Sequence, residues 1–457
     1  MDGELWSGGM KLKSTILTPQ SEEHREVITQ MNNTRPPSPA SVPLVLWITF
    51  LGSMGTAVVT TGIAFIADKG LGYSGRQNLL LALALGGVYI PAAYFSGPAL
   101  LRAMRRSRRI TTRRVLVGLM LVLTAVAQLP LVAHVFFNQY TEAALWVMGI
   151  VFMAATGVQW PIVHAYLSGG RRGRAQRSAI GKFNITWATA LVLAFWSMAP
   201  LLKHHPFVIV SVLGAVHLVI AVIVLMLPDE PAKHVEDDSL EEGDPELYRQ
   251  LLVVFRTMLI ASYVILSVMT PLLPSIETKL GLPAIWWTPV ASTWLVVRIV
   301  FFALLERWHG WHGRWLVPWV GMGTLVIGFA IAMIAPMVGP YAGSSLPNEL
   351  GQHEFNALGL MVLMSGLALA GVGISLTYYG ALYYAMAVGG ADVEAGGKHE
   401  AFIGVGYTAG PLCGLIGGLV HEGGLGVIGV TSAVVIGMIG LAVTKALKST
   451  NRPVSDG

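Results

Sequence analysis

Residues 78–137 read NLLLALALGGVYIPAAYFSGPALLRAMRRSRRITTRRVLVGLMLVLTAVAQLPLVAHVFF. Two apolar runs, 78–101 and 115–137, flank seven arginines: Arg102, Arg105, Arg106, Arg108, Arg109, Arg113 and Arg114. Each run is long enough to cross the roughly 30 Å hydrocarbon core of a bilayer as a helix. A dense arginine cluster between two such runs marks a loop held on one side of the membrane. The same alternation continues in both directions, with apolar runs at 43–67, 143–168, 179–202, 206–227, 250–274, 283–306, 316–338, 357–387, 400–420 and 424–447. The chain therefore reads as an all-α membrane protein with twelve transmembrane helices. Composition agrees: 54% of the 457 residues are apolar and 12% are charged, about half the charged share of a soluble domain. Cys413 is the single cysteine, which excludes a disulfide-stapled fold.

Lysine and arginine collect on the cytoplasmic side of membrane proteins. With the N-terminus placed in the cytoplasm, 24 of the 30 basic residues fall on that face and only Lys69, Arg76, Lys203 and Lys279 on the other. Both termini are expected in the cytoplasm, in a plasma (inner) membrane. This placement also assigns the net charge of +5 to anionic lipid rather than to nucleic acid. No secretory signal is expected, because the first apolar run begins near Pro43 and is long enough to span.

The longest hydrophilic break between apolar runs, 228–249, is acidic and divides the spans six and six. The expected domains are a disordered cytoplasmic tail at 1–42, a six-helix bundle at 43–227, an acidic cytoplasmic linker at 228–249, a second bundle at 250–447 and a tail at 448–457. Two apolar bundles joined by one polar linker suit an internally duplicated transporter. Weak internal repeats point the same way: Leu101-Arg102 against Glu306-Arg307, and Arg177-Ser178-Ala179-Ile180-Gly181 against Glu400-Ala401-Phe402-Ile403-Gly404.

The loop after span 2, Gly97-Pro98-Ala99-Leu100-Leu101-Arg102-Ala103-Met104-Arg105-Arg106, resembles the signature of the major facilitator superfamily. The glycine and three basic positions fit. Leu101 stands where the family carries Asp, and Met104 where it carries a second Gly. The resemblance covers about 43–447 and implies two pseudo-symmetric bundles that rock about a central site. It also implies a gate formed by Arg102, Arg105 and Arg106 in the first half and by Glu306 and Arg307 in the second. A carboxylate and a basic set that pair in one state and part in another make a bistable latch, although the same arginines also satisfy the positive-inside rule alone. In span 11, Gly406, Gly410, Gly414 and Gly418 recur every fourth residue with Pro411 among them. That string resembles a motif of span 5 in the family's antiporters, and four-residue spacing puts the glycines on one face for close helix packing.

Ionisable groups inside a bilayer are costly and mark function. Arg298 lies eight residues before Glu306, roughly 12 Å from the end of its span. It is expected either to face a cavity, binding a carboxylate or phosphate through its planar fork, or to make a structural polar contact. Arg256 is near enough to a span end to snorkel. His217, in span 6, is expected to be packing rather than a proton carrier. No acidic residue is expected near mid-bilayer; Asp68, Glu277 and Glu400 read as interfacial, so coupling through a buried carboxylate is not expected.

Polar and aromatic residues on the spans that line the cavity in this family complete a candidate substrate site: Arg298, Gln159, Asn184, Tyr379, Trp187, Tyr263 and Trp294. Stacking and hydrogen bonding suit a small organic solute. The reading is a monomeric secondary transporter without cofactor or metal, working by alternating access and driven by an ion or solute gradient. A non-transporting sensor or scaffold that keeps the fold is the alternative. A membrane enzyme would need clustered catalytic carboxylates or histidines, which the sequence does not show.

Overall fold

A computed structural model describes residues 38–171, 173–233, 245–308, 310–339, 354–388, 393–421 and 424–450. Most of both terminal tails and the acidic core of the linker, 234–244, lie outside the described residues. The chain from Pro39 onward is one compact unit. Among the described residues twelve helices are long and apolar enough to cross a membrane: α1 Val42–Leu71, α2 Gly75–Arg106, α3 Thr112–Phe136, α4 Asn138–Ser168, α5 Ser178–Leu202, α6 Pro206–Val224, α7 Glu246–Lys279, α8 Ala284–Arg307, α9 Leu316–Met337, α10 Ala357–Tyr384, α11 Gly396–Val420 and α12 Gly424–Lys445. Helices are the expected solution, because each satisfies its backbone hydrogen bonds within itself where no water is present.

Helix pairings in the first half recur in the second with an offset of six: α1 with α5 as α7 with α11, α2 with α4 as α8 with α10, α3 with α6 as α9 with α12, and α1 with α6 as α7 with α12. The halves meet along α2 with α11 and α5 with α8, which the same offset also interchanges.

At the end carrying the start of α1 and the end of α12, Gly397 presses on Ala93 and Ser96 of α2, and Gly181 of α5 on Glu306 of α8. At the far end Trp196 Nε1 donates to Ser292 Oγ at 2.9 Å, and the rings of Phe65 and Trp287 lie 6.3 Å apart. Contacts thus bridge the halves at both ends.

Two local features depart from plain helix. In α1, Val58–Gly62 forms a π turn. Its Val-Val-Thr-Thr-Gly sequence is β-branched and ends in glycine, all weak helix formers. Thr56 and Thr60 bond back to the carbonyls of Gly52 and Thr56 at 3.2 and 2.8 Å, a pattern that bends helices.

The linker's opening residues are tied to the first half. Arg113 pairs with Asp229 at 2.8 Å, the Thr112 hydroxyl donates to Glu230, Tyr166 OH donates to the Pro228 carbonyl at 2.8 Å, and Gly170 N donates to Lys233 O at 3.0 Å. Linker residues 228–233 are therefore clipped onto the ends of α3 and α4. At the far end Tyr73, between α1 and α2, donates to Glu142 at 2.5 Å and accepts from Trp146 at 2.8 Å. Burial first, then the Glu142 bond, pushes its phenol up to about 12.

Candidate functional site

Between these two sets of contacts lies a central cavity of about 90 Å³ lined from both halves. That is room for roughly six waters or a solute of a few heavy atoms. The first half contributes Ser53, Thr56, Thr60 and Thr61 of α1, Tyr89 of α2, Trp160 and His164 of α4, and Phe183, Trp187 and Leu191 of α5. The second contributes Tyr263, Leu266, Ser267 and Thr270 of α7, Trp294 and Arg298 of α8, Tyr378 of α10, and Glu400, Ile403 and Tyr407 of α11. The π turn of α1 brings Thr60 and Thr61 onto this wall, and π turns recur at functional sites.

Arg298 is 1% exposed. Its guanidinium carbon sits 4.3 Å from the Trp187 ring, 4.6 Å from Tyr378, 5.1 Å from Phe302 and 5.9 Å from Trp294. Aromatic faces attract a desolvated cation by about 2 kcal/mol but accept none of its directional hydrogen bonds. Nε and Nη2 of Arg298 find no partner among the described residues. Buried charged donors without an acceptor are among the more costly arrangements a fold can hold, so the guanidinium that lines this cavity keeps donors suited to a carboxylate or phosphate.

Across the cavity is a group that the sequence reading placed at the membrane surface. Glu400 is 6% exposed. Tyr89 OH donates to its Oε2 at 2.6 Å, and His164 Nδ1 lies 3.8 Å from Oε1. The expectation of an interfacial Glu400 is corrected for a definite reason: the helix that contains the α11 span starts at Val393, ahead of the polar Gly396-Gly397-Lys398-His399 that seemed to mark its start. Glu400 then lies two turns inside the helix, covered by α2. Glu277 is likewise buried, at 0% exposure, because α7 runs on to Lys279. Tyr89, Tyr263 and Tyr407 form an edge-on aromatic chain with centroid steps of 5.8 and 5.2 Å along one wall.

Of the seven expected substrate residues, Arg298, Trp187, Tyr263 and Trp294 line the cavity. Gln159, Asn184 and Tyr379 are not among its lining. Gln159 is fully buried with its amide against Gly52 of α1. Asn184 accepts from Trp187 Nε1 at 3.1 Å, so it holds a cavity residue in place from behind. Tyr379 packs on Phe302 and Trp311 at 5.8 and 5.7 Å.

Among the expected gate residues, Arg102, Arg105, Arg106 and Arg307 are exposed and form no ion pair among the described residues. Glu306 does not pair with Arg307 and instead abuts Gly181 of the opposite half. Of the glycine row, Gly406 and Gly410 meet α7, Gly414 meets α7 and α2, and Gly418 faces open space. Gly418 is therefore not a packing contact among the described residues. Arg256 is exposed. His217 is buried inside the first half with its ring edge-on to Phe152 at 5.3 Å.

The sequence matches no protein-family model and no curated protein. The structure resembles solved transporters. A crystal structure of the nucleoside transporter NupG aligns with TM-score 0.59 and 11% identity over 90% of this chain and 99% of that one. A structure reported for substrate recognition in proton dependent oligopeptide transporters aligns with TM-score 0.59 and 14% identity over 90% of this chain and 97% of that one. The chain shares the twelve-helix fold of these transporters; at these identities the likeness speaks for the fold alone.

Proposed function

We propose that the chain is a secondary transporter that moves a small organic anion across a membrane by alternating access. Arg298 carries this reading: a buried guanidinium with two unpartnered donors, facing a cavity that both halves build. The hydroxyls of Ser53, Thr56 and Thr270 supply further hydrogen bonds, and the aromatic wall favours a compact organic body. In this reading the α2–α11 and α5–α8 seams, bridged by contacts at both ends, part at one end or the other. The solved transporters sharing this fold include one described as acting on nucleosides and others on oligopeptides, which supports transport as the class and leaves this chain's substrate to its own residues. In the membrane we place it as a monomer in a plasma (inner) membrane with both termini cytoplasmic.

Uptake into proteoliposomes, over a panel of small carboxylates and phosphate esters with and without a pH gradient, tests the reading. Saturable flux of an anion supports it. Binding without flux of any solute favours a sensor that keeps the fold, the reading that Leu101 and the unpaired Arg102, Arg105 and Arg106 would suit. Flux that requires ATP hydrolysis rejects the class.

Glu400, hydrogen-bonded by Tyr89 and faced by His164, is the group placed to exchange a proton with the cavity, and it supplies the coupling ion. Glu400→Gln keeps the Tyr89 contact and removes the exchange. The variant is expected to bind and counterflow substrate but to lose accumulation driven by an inward proton gradient. Gradient-driven accumulation equal to the native protein would remove Glu400 from coupling.

A further inference from the structure

A second carboxylate is buried away from the central cavity. Glu277 lies at the far end of α7, 0% exposed, and neither of its carboxylate oxygens has a hydrogen-bond partner among the described residues. The seam between the halves closes around it. Gly75 at the start of α2 meets Leu272 and Ser275 of α7, and the end of α1 packs on α7. Asp68 of α1 is close enough to interact electrostatically with Glu277.

The local charge count decides what Glu277 can be. Lys69 pairs with Asp68 at 3.5 Å, and its ammonium sits 3.7 Å from the Trp287 ring centre. Trp287 is fixed by its own bond to the Leu282 carbonyl at 2.7 Å. Lys69 is thus engaged by Asp68 and an aromatic face. The remaining charged residues at this end among the described residues, Arg76 of α2, Glu142 of α4, Lys203 after α5, Lys279 of α7 and Glu354 before α10, are exposed. An ionised Glu277 in the closed seam would be an unpaired buried charge beside a second negative charge, which folds do not sustain. A carboxyl group carrying a proton sits there at much lower cost.

We propose that Glu277, opposed by Asp68, is a proton-binding site that latches the far end of the protein. The closed seam holds the proton on Glu277; when the seam opens, water reaches the carboxyl group and the proton leaves. Glu277 and Glu400 then form two separate proton sites, one governing the far-end seam and one facing the substrate. Closure takes up a proton, so acid favours the closed end and alkali the open end. Above the ordinary carboxylate range the closed-to-open ratio falls by up to about tenfold per pH unit. The site goes beyond the transport reading and does not rest on it, because the latch would operate in an empty or non-transporting protein.

The experiment measures distance across the far end without substrate. Spin labels go on Tyr140→Cys and Ile285→Cys, exposed positions in the first turns of α4 and α8, in full-length protein carrying Cys413→Ala and reconstituted in nanodiscs. From roughly pH 5 to pH 8, the short-distance population is expected to fall steeply with Glu277 present. Glu277→Gln, isosteric and uncharged, is expected to stay closed throughout. Asp68→Asn is expected to shrink the total change, since one negative charge fewer opposes the deprotonated closed seam. It also serves as the independent variant should Glu277→Gln fail to fold. A pH-independent distance in the parent protein overturns the proposal, as does an unchanged pH response in Glu277→Gln or in Asp68→Asn. Closure that follows added sodium at fixed pH, rather than pH at fixed sodium, overturns it in favour of a metal cation. Failure of uptake in proteoliposomes leaves this result untouched, so the two readings fail separately.

Discussion

Arg298→Met is expected to abolish binding and uptake while leaving the empty protein about as stable as before. Two opposing terms set the stability. Methionine forfeits the cation–aromatic attraction to Trp187 and Tyr378 at 4.3 and 4.6 Å, about 2 kcal/mol for a desolvated cation. It also relieves the two unpartnered donors, a gain of about 1–3 kcal/mol. The difference is near zero, and methionine still fills the aromatic box. Binding has no such offset. Removing one partner of a buried, hydrogen-bonded charge pair costs about 2–5 kcal/mol, so affinity for an anionic substrate falls by roughly 30-fold to over 1,000-fold. Isothermal titration and thermal unfolding of the same sample separate the outcomes. A variant that unfolds readily, with binding per folded molecule unchanged, would make Arg298 a structural residue and end the anion-transport reading.

Arg298 was legible in the sequence because it is too deep in its span to reach water, and a charge at that depth needs a reason. The twelve spans were legible for the same kind of reason: lipid demands about twenty apolar residues in a row. What the sequence did not reveal is the rotation of each helix about its axis. In water a helix declares its buried face by contrast with a polar one, but here lipid and protein core are both apolar. Gln159, Asn184 and Tyr379 looked equivalent to Trp187 and Tyr263, yet only the latter two line the cavity. Glu400 and Glu277 were misplaced by a different cause. Each sits where polar neighbours suggested a helix end, and each helix continues beyond or begins before that point, under cover of α2 or the α1 end. The gate arginines carry no local signal distinguishing a latch from topology, since both require positive charge at the same end of the same helix.

Gly410→Val is expected to be the most damaging single substitution along α11. A side-chain carbon at Gly410 would lie 2.2 Å from Ser267 Oγ and 2.3 Å from the Val264 carbonyl oxygen. A hydroxyl alone turns away, but the carbonyl belongs to the backbone of α7 and cannot. At Gly406 the same atom would lie 2.4 Å from Tyr263 Cβ, and Ser267 Oγ there donates across the interface to the Gly406 carbonyl at 2.8 Å. Two successive glycines thus let the α7 and α11 backbones touch, the close approach that small residues permit between membrane helices. Prying them apart costs at least the 1–3 kcal/mol typical of overpacking, and more where backbone must shift. It also moves Tyr263 and Ser267 on α7 away from Glu400 and Tyr407 on α11, so the cavity loses its shape together with its support. Folded, monodisperse yield should fall severalfold, and uptake per folded molecule should fall with it. Gly418→Val supplies the control, since nothing lies within 4 Å of a side chain there: yield and uptake should match the parent. Equal damage at both positions would mean that the glycines act through helix flexibility, and not through the contact between α7 and α11.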